Sequence, residues 1–273
     1  MQAFYERLPQ LQTSMLAIPS VPFDTYSSFL RGPAEAPPRI WEAFRSDSAN
    51  TFAENGIDVG SHPGVIDLGP VPFDDYQGIT SPYERLLEED VRVLSLGGDH
   101  SITYPIIRAF AQRYPGLTIL QLDAHGDLYD EFEGNRFSHA CPFARIMEEK
   151  LARRLVQVGI RTLTAHQRQQ AGRFGVEVHE LRHGIPRQLD LSGPLYLSLD
   201  LDVLDPAFAP GLSHYEPGGL SVREVIGIVQ QIDAPLVGAD IVEYNPRRDR
   251  NGMTAMVAAK LMREVAAKLL ETR

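Results

Sequence analysis

The chain has 273 residues, of which 43% are hydrophobic and 23% are charged. This composition is typical of a folded globular protein and excludes a disordered tail, a collagen-like repeat and a mucin-like stalk. The 36 acidic residues outnumber the 26 basic ones, which gives a formal net charge of −10 and disfavours nucleic acid as a partner. The single cysteine, Cys141, excludes an internal disulfide framework and a cysteine-rich zinc site.

No segment has the pattern of a signal peptide or of a membrane span. The start, MQAFYERLPQ, lacks the basic and apolar regions of a signal peptide. No run approaches the ~20 consecutive apolar residues that cross a bilayer. We therefore expect a cytoplasmic protein with no membrane partner.

Short apolar runs recur along most of the chain. Several are almost continuous in Val, Ile and Leu, which favours strands buried on both faces, as in a parallel sheet covered by helices. The predicted strands are 14–21, 64–71, 91–98, 117–125, 155–161, 176–181, 195–205 and 235–246.

Helical patterns lie between these runs, including 101–114, 140–154, 221–232 and 253–272. Ser221 is followed three residues later by Glu224, which predicts a capping box at a helix start. Strands that alternate with helices indicate βαβ units and one sheet covered on both faces. The Pro-rich segment at 31–40 lies too early to separate two full domains. Residues 1–273 are therefore expected to form a single domain.

Acidic residues and histidines follow three of the predicted strands. The motifs are GGDHS (97–101), DAHGDLYD (123–130) and DLDVLDP (200–206). Open parallel sheets place their ligand sites beyond the carboxyl ends of the strands. Because buried Asp and His need compensating charge, these strand ends predict a site for divalent cations.

Six side chains from these motifs are candidate metal ligands: His100, Asp123, His125, Asp127, Asp200 and Asp202. The spacing of two between Asp123, His125 and Asp127 would point all three to one side of an extended segment. Four carboxylates and two imidazoles without a thiolate suit Mn²⁺ or a similar ion better than structural zinc. Six ligands fit two ions, about 3.5–4 Å apart, that share one activated water.

Together, GGDHS, DAHGDLYD and SLDLDVLDPAFAPG resemble the signatures of the ureohydrolases, the arginase and agmatinase family. The resemblance extends from SSFLRGPAEAPPRI (27–40) to DIVEYNP (240–246). It implies a three-layer α/β/α fold with an eight-stranded, mostly parallel sheet and two Mn²⁺ ions per subunit. It also implies hydrolysis of a guanidino compound to urea and an amine, by a homotrimer or homohexamer.

The resemblance also implies a role for each site residue. One manganese would be held by His100, Asp123, Asp127 and Asp200, and the other by Asp123, His125, Asp200 and Asp202. As catalytic residues, Asp127 would orient the attacking water, Glu243 in DIVEYNP would bind the guanidinium, and His139 in FSHACPF would contact substrate and carry a proton to the leaving amine. A carboxylate and a guanidinium form a bidentate, charge-assisted pair, which makes the role of Glu243 physically sound.

The loop at 128–140 resembles the agmatinase type, which favours agmatine, with putrescine and urea as products. Asp130, Glu131 and Glu133 make the loop acidic, and Asp130 is expected to bind the distant ammonium of the substrate. His214, in a Pro/Gly loop, is a weaker candidate for the mouth of the pocket.

Other readings remain open. Guanidinobutyrate, arginine and formimidoylglutamate are alternative substrates, and Arg136 or Arg161 could receive a carboxylate tail. A catalytically silent binding protein of the same fold is a further alternative, although all six ligand residues and Glu243 are present. A phosphatase would need cations beside the metals, which the motifs do not offer.

Overall fold

The computed structural model describes residues 2–271. Within this range, eight strands form one sheet in which all neighbouring strands are parallel. The strands are β1 (Leu16–Val21), β2 (Val65–Pro70), β3 (Arg92–Gly97), β4 (Thr118–Leu122), β5 (Arg154–Ile160), β6 (Glu177–Glu180), β7 (Leu195–Asp200) and β8 (Leu236–Val242). Their order across the sheet is β2-β1-β3-β8-β7-β4-β5-β6. The predicted fold class is confirmed.

Helices cover both faces of the sheet. They are α1 (Gln2–Arg7), α2 (Ala36–Phe44), α3 (Thr80–Leu87), α4 (Thr103–Arg113), α5 (Pro142–Glu148), α6 (Ala165–Phe174), α7 (Val222–Gln230) and α8 (Met253–Glu271). One apolar core joins the sheet to α2, α7 and α8, and a second core joins its other face to α1 and α3 to α6. In the described part of the chain, none of these helices is long and apolar enough to cross a membrane.

The central strands are buried along their whole length, as their continuous apolar runs predict. Every residue of β1, β4 and β7 is buried, whereas the edge strands β2 and β6 are partly exposed. Burying one Leu or Val side chain completely contributes about 1.5–3 kcal/mol. The middle of the sheet is therefore a rigid base for the residues that follow its strands.

Several helix boundaries have a clear local cause. At α7, the hydroxyl of Ser221 accepts from the backbone N–H of Glu224, and the Glu224 carboxylate accepts from the backbone N–H of Ser221, so the capping box is confirmed. At α2, Pro37 and Pro38 occupy the first turn, where the missing proline N–H costs no helical hydrogen bond. The Pro-rich segment thus contains the start of a helix. The predicted end of the last helix, residue 272, lies outside the described residues.

Three strands end at least three residues earlier than the sequence predicts, at Leu122, Asp200 and Val242. Beyond them the backbone turns sharply, and Asp127 and Glu243 have left-handed φ angles of 48° and 66°. Residues 123–127 are therefore not the extended segment that the spacing of two predicts, although the side chains of Asp123, His125 and Asp127 do converge. A left-handed non-glycine residue costs about 1–3 kcal/mol and is typical of functional sites.

Candidate metal centre

The candidate site lies at the carboxyl ends of four neighbouring strands. His100 follows β3, the segment 123–127 follows β4, Asp200 ends β7, and Glu243 follows β8. These strands are adjacent in the order β3-β8-β7-β4. Parallel strands present their carboxyl ends at the same edge, so residues far apart in sequence meet there.

The glycine and aspartate of GGDHS shape the turn that carries His100. A Cβ on Gly98 would lie 1.8 Å from the carbonyl oxygen of Phe23, so only glycine allows this close approach. The backbone N–H of Asp99 donates to that same carbonyl oxygen at 2.9 Å. The Asp99 carboxylate accepts from the Ser101 N–H at 3.1 Å, as a helix N-cap does. Asp99 is therefore a structural residue of the motif.

The first group of candidate ligands surrounds the His100 ring. Its Nδ1 lies 3.2 Å from a carboxylate oxygen of Asp123 and 3.0 Å from oxygens of both Asp127 and Asp200. The same Nδ1 is buried and makes no hydrogen bond. One imidazole nitrogen and three carboxylate oxygens therefore face one another, as ligands of one ion would.

The second group lies beside the first and shares Asp123 with it. The Nδ1 of His125 lies 2.8 Å from an Asp202 oxygen and 3.5 Å from the second Asp123 oxygen. The other Asp202 oxygen accepts from the backbone N–H of Ala124 at 3.1 Å. Asp200, which the resemblance assigns to both ions, falls in the first group but not in the second, whose ligand atoms lie within 4.8 Å of one another.

The charge of the site matches two divalent cations. Burial and neighbouring carboxylates raise the pKa of Asp127 and Asp200. Burial and Asp123 also raise the pKa of Asp202, to about 6, against the opposing effect of His125. Four buried carboxylates are costly together unless cations balance them. Together with the unpaired nitrogen of His100, this oxygen-rich set fits two borderline-hard ions such as Mn²⁺.

Glu243 and His139 form a buried pair next to the first group. One Glu243 oxygen accepts from the backbone N–H of His100 and from Nδ1 of His139, both at 2.8 Å. Burial opposes ionisation of Glu243, but His139 outweighs it, and the pKa of Glu243 is lowered. Glu243 is therefore ionised at neutral pH.

Ser28 supports the other side of His139. Its backbone N–H donates to Nε2 of His139 at 3.1 Å, and its hydroxyl lies 2.8 Å from the same nitrogen. Burial lowers the pKa of His139, but Glu243 raises it more, to about 9. The Ser28 N–H acts in the opposite direction, because it places a hydrogen against the nitrogen that would be protonated. Sequence reasoning did not single out Ser28.

A cavity of about 170 Å³ opens onto the site. Its wall contains seven residues that the sequence predicted for the site: His125, Asp127, His139, Asp200, Asp202, His214 and Glu243. The His214 ring centroid lies 5.2 Å from that of His139 and 6.0 Å from that of His125. Burial, with a smaller contribution from His139, lowers the pKa of His214 to about 4, so this ring is neutral at neutral pH.

Three predicted substrate contacts lie away from the cavity wall. Asp130 is exposed, and its carboxylate lies 2.9 Å from Nε2 of His166. Arg136 is exposed and pairs with Glu148. The Arg161 guanidinium donates to backbone carbonyls, including that of Asp202 at 2.7 Å. The expectation that Asp130 binds substrate, and that either arginine receives a carboxylate tail, therefore does not match their positions.

The outer wall of the cavity includes residues that the sequence patterns did not identify. Thr162, Thr164 and Gln167 come from the end of the β5–α6 loop and the first turn of α6. The Thr164 hydroxyl accepts from the Gln167 N–H at 3.3 Å and caps the helix. Gln167 is 3% exposed, and its side-chain oxygen has no hydrogen-bond partner. The threonine N-cap before this helix was the available sequence signal.

Comparison with known proteins places this geometry in a family. The model of the "Arginase family" matches residues 14–267. "Arginase 1, mitochondrial" of Arabidopsis thaliana is 49% identical over 94% of this chain and 81% of its own length. The structure titled "Arginase from Medicago truncatula" has a TM-score of 0.91 and 42% identity, and the match covers 98% of this chain and 93% of that one.

Agmatinases are more distant. The agmatinase of Bacillus cereus is 30% identical over 97% of this chain and 95% of its own length. The expectation that the chain is most similar to agmatinases is therefore not supported. The ureohydrolase resemblance itself is confirmed: the chain belongs to the arginase family.

Proposed function

We propose that this protein is a binuclear manganese hydrolase that converts arginine and water to urea and ornithine. The observation that carries the proposal is the pair of His/Asp groups that share Asp123, with Glu243 in the wall of the same cavity. The similarity to arginases, 49% against 30% for an agmatinase, supports arginine over agmatine.

Some of these residues would hold the ions, and others would bind the water and the substrate. One cation would be held by His100, Asp123, Asp127 and Asp200, and the other by Asp123, His125 and Asp202. When bound, such a pair supplies a water of lowered pKa near neutral pH. Asp127, which lines the cavity, can orient that water by accepting its hydrogen. The ionised Glu243 can accept two N–H groups of the planar guanidinium, which fixes the carbon that is attacked.

His139 is positioned to transfer a proton to the leaving amine. Its Nδ1 lies against Glu243, and its Nε2 lies against Ser28, whose side chain also lines the cavity. A histidine in such a network can pass a proton toward the cavity.

The outer wall of the cavity offers polar groups that fit an amino-acid tail. Thr162, Thr164 and Gln167 offer hydroxyl and amide groups, which can donate to a carboxylate and accept from an ammonium. They lie at the start of α6, where the helix dipole favours an anion. Asp130, the carboxylate predicted to bind the agmatine ammonium, is exposed and lies 2.9 Å from Nε2 of His166, and it is not part of the cavity wall.

A panel of guanidino compounds tests the substrate assignment. With Mn²⁺ bound, we expect urea release from arginine with a kcat/KM at least about tenfold above that for urea release from agmatine or guanidinobutyrate and for formamide release from formimidoylglutamate, since unpaired buried polar groups discriminate strongly. A higher kcat/KM for agmatine would overturn the arginine assignment. Neither urea nor formamide from any compound, with both ions bound, would favour a silent binding protein.

Mn²⁺ affinity is expected to fall as the pH drops through about 6. The raised pKa of Asp202, about 6, means that its carboxylate is ionised above this pH and binds a competing proton below it. For each proton displaced, affinity should fall about tenfold per pH unit below the pKa. Calorimetric titration of metal-stripped protein with Mn²⁺ on either side of this pKa checks the expectation. A Mn²⁺ affinity that stays constant over that range would contradict Asp202 as a ligand.

A homotrimer or homohexamer is proposed on the family resemblance. The relatives named mitochondrial or chloroplastic do not support the cytoplasmic location that the sequence pattern led us to expect. Analytical ultracentrifugation of the full chain measures the assembly directly. A monomer across micromolar concentrations would contradict the proposed oligomer.

A further inference from the structure

Five polar side chains form a row across the middle of the sheet. They are register partners on the adjacent strands β3, β8, β7, β4 and β5: Ser95, Asp240, Ser198, Gln121 and Gln157. All five have no exposed surface. We call this set the buried polar row. Buried polar groups are costly unless they are hydrogen-bonded, so a full row inside apolar strands needs a reason.

The Asp240 side of the row ends at His100. The carboxylate of Asp240 accepts from the hydroxyls of Thr103 at 2.8 Å, Tyr196 at 2.9 Å and Ser198 at 2.7 Å. The hydroxyl hydrogen of Ser198 is therefore committed to Asp240. The Ser198 oxygen, 2.9 Å from Nε2 of His100, must then accept a hydrogen from that nitrogen.

This hydrogen bond determines which nitrogen of the His100 ring can bind a cation. With the hydrogen on Nε2, a neutral ring has its lone pair on Nδ1. That nitrogen makes no hydrogen bond and faces the oxygens of Asp123, Asp127 and Asp200. A metal needs this lone pair, because a nitrogen that carries hydrogen cannot be a ligand.

The glutamine side of the row ends at Asp123. The amide of Gln157 donates to the side-chain oxygen of Gln121 at 2.6 Å and to the backbone oxygen of Gly126 at 2.7 Å. Since the Gln121 oxygen accepts, its amide nitrogen faces the other way and donates to Asp123 at 2.6 Å and to the backbone oxygen of His125 at 3.2 Å. The orientation of Asp123, which both ligand groups share, is thereby fixed.

We propose that the buried polar row positions the metal centre from within the sheet. Ser198, held by Asp240, keeps His100 in the form that presents Nδ1 to a cation, and Gln121, held by Gln157, orients the shared carboxylate of Asp123. These are positioning residues, since none of them lies among the ligand atoms. The inference rests on the proposed metal centre, but it concerns affinity for the metal and not the identity of the substrate.

Ser198→Ala in the full-length protein tests the Asp240 side. Calorimetric titration of metal-stripped protein with Mn²⁺ should show a loss of affinity of about 10–100-fold, as is usual when a group that orients a metal ligand is removed. Ser95→Ala is the matched control, because Ser95 is an equally buried serine of the row that bonds to the hydroxyl of Tyr83 and contacts no ligand. Ser198→Ala loses the hydrogen bonds to Asp240 and from His100, whereas Ser95→Ala loses the one with Tyr83, so thermal stability should fall in both variants and further in Ser198→Ala. Mn²⁺ affinity, in contrast, should fall only in Ser198→Ala.

Gln121→Met tests the glutamine side with a side chain of similar length and no donor, and a loss of at least about tenfold in Mn²⁺ affinity is expected. If Ser198→Ala and Gln121→Met bind Mn²⁺ as tightly as Ser95→Ala does, the row is structural only. That result would overturn the proposal. If the wild type binds two Mn²⁺ but releases no urea, the proposed function fails while the affinity comparison still decides the role of the row. A wild type that binds no Mn²⁺ would overturn both.

Discussion

Replacing Asp123 with Asn is expected to remove bound Mn²⁺ and to lower kcat/KM for arginine by at least about 10³-fold. One oxygen of Asp123 lies 3.2 Å from Nδ1 of His100, and the other lies 3.5 Å from Nδ1 of His125. Asparagine removes the negative charge and replaces one of these oxygens with an amide nitrogen that has no lone pair for a metal. One group therefore loses a ligand atom, and the other keeps only a neutral amide oxygen in place of a charged one.

The measurements are Mn²⁺ content by elemental analysis and urea release from arginine. Asp233→Asn is the matched control, since Asp233 is exposed and lies on the loop before β8. It undergoes the same chemical change without touching the cavity wall, so its metal content and kcat/KM should equal those of the wild type. An Asp123→Asn variant that retains two Mn²⁺ would contradict Asp123 as the shared ligand.

The architecture was largely predictable because its cause is local. Runs such as LTILQL and LYLSL are long enough and apolar enough to indicate buried strands, and all eight predicted strands are present. Helices α1, α2, α3 and α6 were not among the helical segments named from the sequence. In α6, the sequence AHQRQQAGRF offers few apolar residues, and its position depends on packing against the rest of the fold.

The candidate ligands were predictable for a related reason. Each follows a recognisable strand, and parallel strands bring their carboxyl ends together whatever the loops do. The conformation of the loops was not predictable. Asp127 and Glu243 reach the site through left-handed backbone angles, and Asp130 turns outward to His166. The acidic composition of the loop at 128–140 therefore suggested an agmatine pocket, but Asp130 does not line the cavity.

The residues that support the ligands left a weak signal in the sequence. Ser95, Gln121, Gln157, Ser198 and Asp240 are each a lone polar residue in an otherwise apolar stretch of strand. Only the register of the sheet shows that they lie at the same level. Long-range pairing of strands cannot be read from one sequence, so the row becomes visible only in the structure.

Replacing Glu243 with Gln is expected to lower kcat/KM for arginine by roughly 10²–10³-fold and to leave the Mn²⁺ content unchanged. A buried, hydrogen-bonded charge pair that loses one charge costs about 3–4 kcal/mol, which corresponds to that factor. The glutamine side chain would keep an oxygen that can accept from the backbone N–H of His100 and from His139, so the turn that carries His100 is preserved.

This separation of turnover from metal content distinguishes a substrate residue from a ligand. Glu243 belongs to neither ligand group, although its oxygen lies 2.8 Å from the backbone nitrogen of His100. Parallel measurements of Mn²⁺ content and urea release on Glu243→Gln and Asp123→Asn make the comparison within one protein. If Glu243→Gln loses its metal as Asp123→Asn does, Glu243 supports the metal centre instead of the guanidinium. If it keeps both metal and full turnover, the guanidinium is held by other groups of the cavity.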